Sequence, residues 1–196
     1  MKSITTKTGD NGNTRLYSGE TISKRSVRIS VCGEVDELVS LLGVAKCYCS
    51  SHDKDMILFE GSDTFDIIGK NIELIQRKLF VVASEIATLP PKIYDLPERI
   101  TKKSLKQIDK ARKSLEKQII LPKGFIIPGS IKLSAYLDLS RAVCRRCERE
   151  IVKLYAEGFI DNKELLIWMN RLSDYLYLLA RYSEEDNYTL LKEYKK

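Results

Sequence analysis

Apolar residues recur every three to four positions through most of this chain, the spacing of one face of an α-helix. The pattern predicts helices near residues 34–49, 64–88, 97–117, 131–158 and 161–185, and no segment reads as a strand. Residues 1–30 differ: they are polar and turn-rich, with Gly9, Gly12 and Gly19.

The expected boundaries have local causes. Leu89-Pro90-Pro91 ends the second helix, because proline lacks an N–H and clashes with the preceding turn. Pro97-Glu98 suits the start of the third helix. Pro122-Lys123-Gly124 breaks the chain again, and Ser130 is placed to cap the fourth helix. Gly158 reads as a helix end and Asp161 as the next cap. Short connections make neighbouring helices antiparallel. The expectation is an all-α protein, a ferritin-like five-helix up-and-down bundle (residues 31–190) behind an irregular arm (residues 1–30), forming one domain over 1–196. There is no internal repeat, low-complexity stretch or glycine-serine linker.

Composition narrows the class. Hydrophobic residues make up 43% and charged residues 31%, an ordinary globular balance. Lys and Arg number 33 against 27 Asp and Glu, a net charge of +6 that suits an anionic ligand. The basic residues are dispersed, with no dense arm interleaved with aromatics, which argues against nucleic acid as a partner. No apolar run approaches the roughly 20 residues needed to span a bilayer. The odd number of cysteines (Cys32, Cys47, Cys49, Cys144, Cys147) and the lack of a leader-like start predict a reduced, cytoplasmic protein.

Two segments offer binding chemistry. At about 100° per residue, Arg141, Arg145 and Glu148 project within roughly 60° of one another on the fourth helix. Fixed guanidinium groups so arranged suit a polyphosphate. The plainer reading is a solvated face with i,i+3 and i,i+4 ion pairs. Residues 6–14 (TKTGDNGNT) crowd glycines, hydroxyls and Lys7 into a turn whose N–H groups suit an anion, and Lys24 and Arg28 follow. This is not a Walker A loop, since Lys7 precedes the glycines. Cys144 and Cys147 form a C-x-x-C pair on the apolar flank of a helix, which favours buried small hydrophobes over a metal site. His52, the sole histidine, lies in a polar stretch and reads as an exposed linker residue.

Taken in order, residues 6–14, Lys24 to Arg28, 32–38 (CGEVDEL), 79–88 (LFVVASEIAT), 125–129 (FIIPG), 141–148 (RAVCRRCE) and 170–181 (NRLSDYLYLLAR) closely resemble the PduO-type ATP:cob(I)alamin adenosyltransferases. The resemblance runs from the arm to the last helix. It implies a homotrimer with active sites between subunits, transfer of the 5′-deoxyadenosyl group of ATP to the cobalt of cob(I)alamin, and release of triphosphate. By the same resemblance, Thr6, Lys7, Thr8, Gly9, Asp10, Gly12, Thr14, Lys24 and Arg28 fold around ATP. Arg141, Arg145, Glu148 and Asn170 complete the pocket from the bundle, and a magnesium ion is expected on the phosphates. Asp36 matches the aspartate that pairs with the arginine corresponding to Arg141. Phe125 matches the aromatic that approaches cobalt and displaces its lower ligand, where pattern alone favours plain core. Arg171 and Asp174 are expected to support a subunit contact. A reductase and an adenosylcobalamin-dependent mutase are implied partners.

The family's usual Pro-Gly-Gly-Ser is replaced here by Pro128-Gly129-Ser130-Ile131, which restricts the turn that places Phe125. Two other functions compete: a non-catalytic carrier or regulator that binds ATP or cobalamin, and a basic helical nucleic-acid module.

Overall fold

The computed structural model describes residues 4–5, 7–50 and 63–191. Five helices carry the fold: α1 (Val27–Ser50), α2 (Asp63–Ile86), α3 (Lys102–Glu116), α4 (Lys132–Ala156) and α5 (Lys163–Glu184). In α2 the buried positions are Ile68, Ile72, Ile75, Leu79, Val82 and Ile86, alternating at spacings of four and three. In α4 Leu133, Leu137, Cys144, Cys147, Ile151 and Leu154 keep the same rhythm. That spacing holds one stripe of each helix against its neighbours, and each aliphatic side chain so buried contributes about 1.5–3 kcal/mol.

Cross-helix pairs fix the directions. Lys46 bonds Glu73 at 2.8 Å and Gln76 Nε2 donates to the Val39 carbonyl at 3.0 Å, so α1 and α2 are antiparallel. Arg146 meets Glu37 while Tyr48 stacks on Tyr136 (centroids 5.4 Å apart), so α1 and α4 are also antiparallel. Asn170 to Glu148 (2.9 Å) and Arg181 to Asp138 (2.7 Å) align α4 against α5 in the same sense. Tyr175 Oη donates to Asn71 Oδ1 at 2.8 Å, which closes the ring between α5 and α2. The result is an up-and-down four-helix core, with α3 packed along α5 as the fifth helix.

Several boundaries differ from the sequence expectation. Helix α1 begins at Val27, one turn and more before residue 34, because the buried rhythm continues backwards through Val31 to Arg28. Helix α3 begins at Lys102, not Pro97. A single 3₁₀ turn covers Lys92–Asp95, and the Ile100 N–H donates to the buried Glu85 carboxylate, which keeps that residue out of the helix. Thr101 is the cap, with its N–H bonded to Ser104 Oγ at 3.3 Å. At the start of α4 the cap is Ile131 rather than Ser130, and its N–H donates to Ser134 Oγ at 3.4 Å. Asn162, one residue after Asp161, caps α5 by accepting from the Glu164 N–H at 3.1 Å. Gly158 does end α4 with φ +75°, the left-handed conformation a C-terminal glycine supplies.

The expectation of no strands is also corrected. The arm forms an antiparallel hairpin of β1 (Asn13–Arg15) and β2 (Thr21–Ser23). β3 (Ile126–Ile127) pairs with β4 (Thr189–Leu190), in the register Ile126 opposite Leu190. Both cysteines of the C-x-x-C pair are buried, and burial pushes the Cys147 thiol up to about 12 and Cys144 well above its usual value. They pack as small hydrophobes.

Candidate active site

Arg141 and Arg145 stand one turn apart on α4 and line the same cleft of about 320 Å³, whose other walls include Arg112 and its ion-pair partner Glu116 on α3, and Ser173, Asp174 and Tyr177 of α5. Arg145 is exposed, and among the described residues no carboxylate lies within ion-pair distance of it. Arg141 is half-buried and its Nε donates to Asp138 Oδ1 at 3.3 Å. Glu148 accepts from Asn170 Nδ2 at 2.9 Å, and Arg171 in turn donates to Asn170 Oδ1 at 3.3 Å. The four bundle residues expected at a nucleotide pocket therefore share the α4–α5 surface. Arg171 pairs with Asp109 of α3 at 3.3 Å within the chain, while Asp174 faces the arginine cleft.

The sequence reading missed Arg112, Asp138, Tyr177 and Arg181. Asp138 sits three residues before Arg141, so helical spacing carried a signal for it. Arg112 had none, because only the packing of α3 on α5 brings it to the cleft.

The arm is built as a tight platform. Gly12 N–H donates to the Gly9 carbonyl (3.3 Å), Lys24 N–H to the Gly12 carbonyl (2.9 Å), and Gly12 has φ +82°. A Cβ on Gly9 would lie 3.1 Å from Lys24 Nζ and 3.3 Å from the Asn13 carbonyl, so the ammonium rests directly on the glycine. Thr14 lies in β1 opposite Ile22. Lys7 (φ +58°), Thr8 and Asp10 form the adjoining turn, where the Asp10 N–H donates to the Lys7 carbonyl at 3.3 Å. The expectations for Thr6 and His52 fall outside the described residues. The platform is docked by buried Leu16, by Lys92 Nζ donating to the Ser18 carbonyl at 2.7 Å, and by Lys92 to Glu20 at 2.8 Å. Lys92 and the Ser18 hydroxyl hold the Glu20 carboxyl down at about 2.

Arg28 has a different place from the one expected. It lies in the first turn of α1, is 4% exposed, and donates to the carbonyls of Ile86, Thr88 and Phe159. A guanidinium so occupied closes the C-terminal end of α2 rather than facing a ligand. It also fixes where the arm stands. Phe159 lies in the turn just past Ala156, the last residue of α4, which is eleven residues or roughly 16 Å of helix beyond Arg145. Arg28 thus ties the base of the arm beside the end of α4, and Ser18 and Glu20 hold the hairpin against Ala87, Leu89 and Lys92 rather than against the arginines of α4.

Phe125 is 83% exposed, not core. Its carbonyl accepts from the Leu191 N–H at 2.7 Å, so β4 braces the loop that displays the ring. Gly129 has φ +110°, the left-handed turn that glycine allows before α4. Asp36 is exposed on α1, and within the chain Arg141 pairs with Asp138 instead of Asp36.

The cobalamin adenosyltransferase family model matches residues 4–183, from the arm through Arg181. The chain belongs to the cobalamin adenosyltransferase family. The corrinoid adenosyltransferase of Citrobacter freundii is 32% identical over 184 residues, 94% of this chain and 96% of that protein. Human corrinoid adenosyltransferase MMAB is 33% identical over 183 residues, covering 92% of this chain and 68% of the human protein. The chain spans half the length of PduO from Salmonella typhimurium, at 29% identity. Among solved structures, a variant PduO-type ATP:corrinoid adenosyltransferase from Lactobacillus reuteri complexed with cobalamin and ATP superposes with a TM-score of 0.80. It is 29% identical, and the match covers 97% of this chain and 99% of that one. As an adenosyltransferase family member the chain has the expected all-α bundle, with the arm hairpin and the β3–β4 pair as its small strand elements. Among the described residues no helix is long and apolar enough to cross a membrane.

Proposed function

We propose that this chain transfers the 5′-deoxyadenosyl group of ATP to the cobalt of cob(I)alamin, giving adenosylcobalamin and triphosphate. It acts as a single adenosyltransferase domain in a cytoplasmic homotrimer, and each active site joins the arm of one subunit to the arginine cleft of the next. The observation that carries this reading is the separation within one chain of an anion-binding platform from the arginine cleft. A platform whose base is tied beside the end of α4 and a cleft at the middle of that helix make sense as two halves of one site when a neighbouring copy supplies the missing half.

Cobalt(I) is itself a strong nucleophile and attacks the ribose 5′ carbon as the bond to triphosphate breaks, so no protein nucleophile is required. Burial pushes the thiols of Cys32 and Cys49 up to about 11, which suits proteins whose cysteines stay out of the chemistry. The chain's own task is alignment and charge compensation. Arg145 and Arg141 fork onto the polyphosphate of MgATP, and Glu148 with Asn170 holds the nucleoside end. Lys24 and the amides of the Thr8–Thr14 turn grip the phosphates from the partner side. Asp36 reaches the neighbouring subunit's arginine across the interface. Exposed Phe125 packs beneath the corrin and excludes the lower axial ligand, which makes the cobalt(II) precursor easier to reduce. A reductase must deliver that electron, and an adenosylcobalamin-dependent mutase is the expected consumer.

The test mixes protein, MgATP and chemically reduced cobalamin and follows the alkylcobalamin absorption change together with triphosphate release. A carrier would bind ATP or cobalamin without either signal, and that outcome would overturn the assignment.

A further inference from the structure

Beneath the cleft runs a chain of alternating charges that the reaction above does not use. Arg141 Nε donates to Asp138 Oδ1 at 3.3 Å, and the other oxygen of Asp138 accepts from Arg181 at 2.7 Å. Arg181 is also held by Glu184, to which it donates through Nε at 2.8 Å and, at 3.1 Å, through the same terminal nitrogen that meets Asp138. The side chains of Asp138, Arg181 and Glu184 are 6%, 1% and 0% exposed, whereas that of Arg141 is 32% exposed. Tyr177, a wall of the cleft, lies with its ring 5.0 Å from the Arg181 guanidinium carbon.

The three buried groups together leave one net negative charge, and Arg141 is the cation that meets it. An uncompensated buried carboxylate is strongly unfavourable, so Asp138 ties Arg141 to one position. The tie uses Nε, which leaves the two terminal amino groups without a partner among the described residues of this chain, in the geometry that suits phosphate oxygens. Stability alone does not account for the cluster: Arg181 Nη1 is buried with no hydrogen-bond partner among the described residues, an arrangement that costs free energy. Local rules broken in this way are commonly broken beside functional sites.

We propose that Asp138 is the positioning residue for Arg141, with Arg181 and Glu184 holding Asp138, so that the Arg141 fork is aimed in advance at the nucleotide's polyphosphate. This rests on the reading of the cleft as the ATP site. Positioning predicts coupling, which a double-mutant cycle measures. Asp138→Asn should lower kcat/KM for ATP about tenfold in the parent and less than about twofold in an Arg141→Ala background. Equal losses in both backgrounds, or no loss in the parent, would overturn the positioning role. If Asp138→Asn does not fold, Glu184→Gln decides. An approximately threefold loss that vanishes with Arg141→Ala supports the proposal, and one that persists refutes it. A parent protein without transferase activity sinks the functional reading instead. The same cycle is then read on MgATP affinity by calorimetry, where additive losses overturn the positioning role independently.

Discussion

The guanidinium of Arg28 donates to the carbonyl of Phe159 at 2.6 Å, across 131 residues of sequence, while its other amino group meets the end of α2. One side chain thus joins the start of α1, the end of α2 and the α4–α5 turn. Arg28→Ala leaves three carbonyls without their donor and is expected to lower stability by about 2–4 kcal/mol. Thermal and urea unfolding check the loss. The KM for ATP of the surviving folded enzyme should remain within about twofold of the parent, and a large KM effect with unchanged stability would return Arg28 to the nucleotide.

Arg145 has the opposite character, being exposed and free of carboxylate partners among the described residues. Arg145→Ala should leave the melting temperature nearly unchanged and reduce turnover about a hundredfold, the usual scale for one charge-stabilising contact. Equal activity of mutant and parent in the cobalamin alkylation assay would refute its role.

Gly9 tests the arm. The Lys24 ammonium and the Asn13 carbonyl occupy the space a side chain would need, so Gly9→Val displaces Lys24 from the turn. The expected result is a KM for ATP raised about tenfold or more with the corrinoid KM unchanged, read from steady-state kinetics.

Phe125→Ala should cost little stability, because the ring is already 83% exposed. It should selectively harm reactions that start from cobalt(II). Spectra of the mutant showing the four-coordinate, base-off species at parental yield would remove the aromatic from the mechanism.

Most of the bundle was legible because Ile68 to Ile86 and Leu133 to Leu154 hold one apolar rhythm, which helical spacing reports directly. The first turns of α1 were not, since a core position there is filled by Arg28 and looks polar until the carbonyls that satisfy it are seen. β1 and β2 are three residues each, too short for alternation to register. β3 and β4 exist only because Ile126 finds Leu190 across the fold. Arg141 and Arg145 could be paired from sequence because four residues is nearly one helical turn. Their supports, Arg181 and Glu184, come from a different helix, and nothing local says which of its polar residues point inward.

A protomer whose gripping hairpin is not held against its own arginines can be broken in two complementary ways. If neighbours share sites, Gly9→Val and Arg145→Ala chains are each impaired alone at low ATP but partly rescue one another when co-refolded, since some junctions receive a sound platform from one parent and sound arginines from the other. Random one-to-one assembly in a closed ring restores roughly a quarter of the junctions. Such genetic mixing would let two defective alleles yield a partly working enzyme.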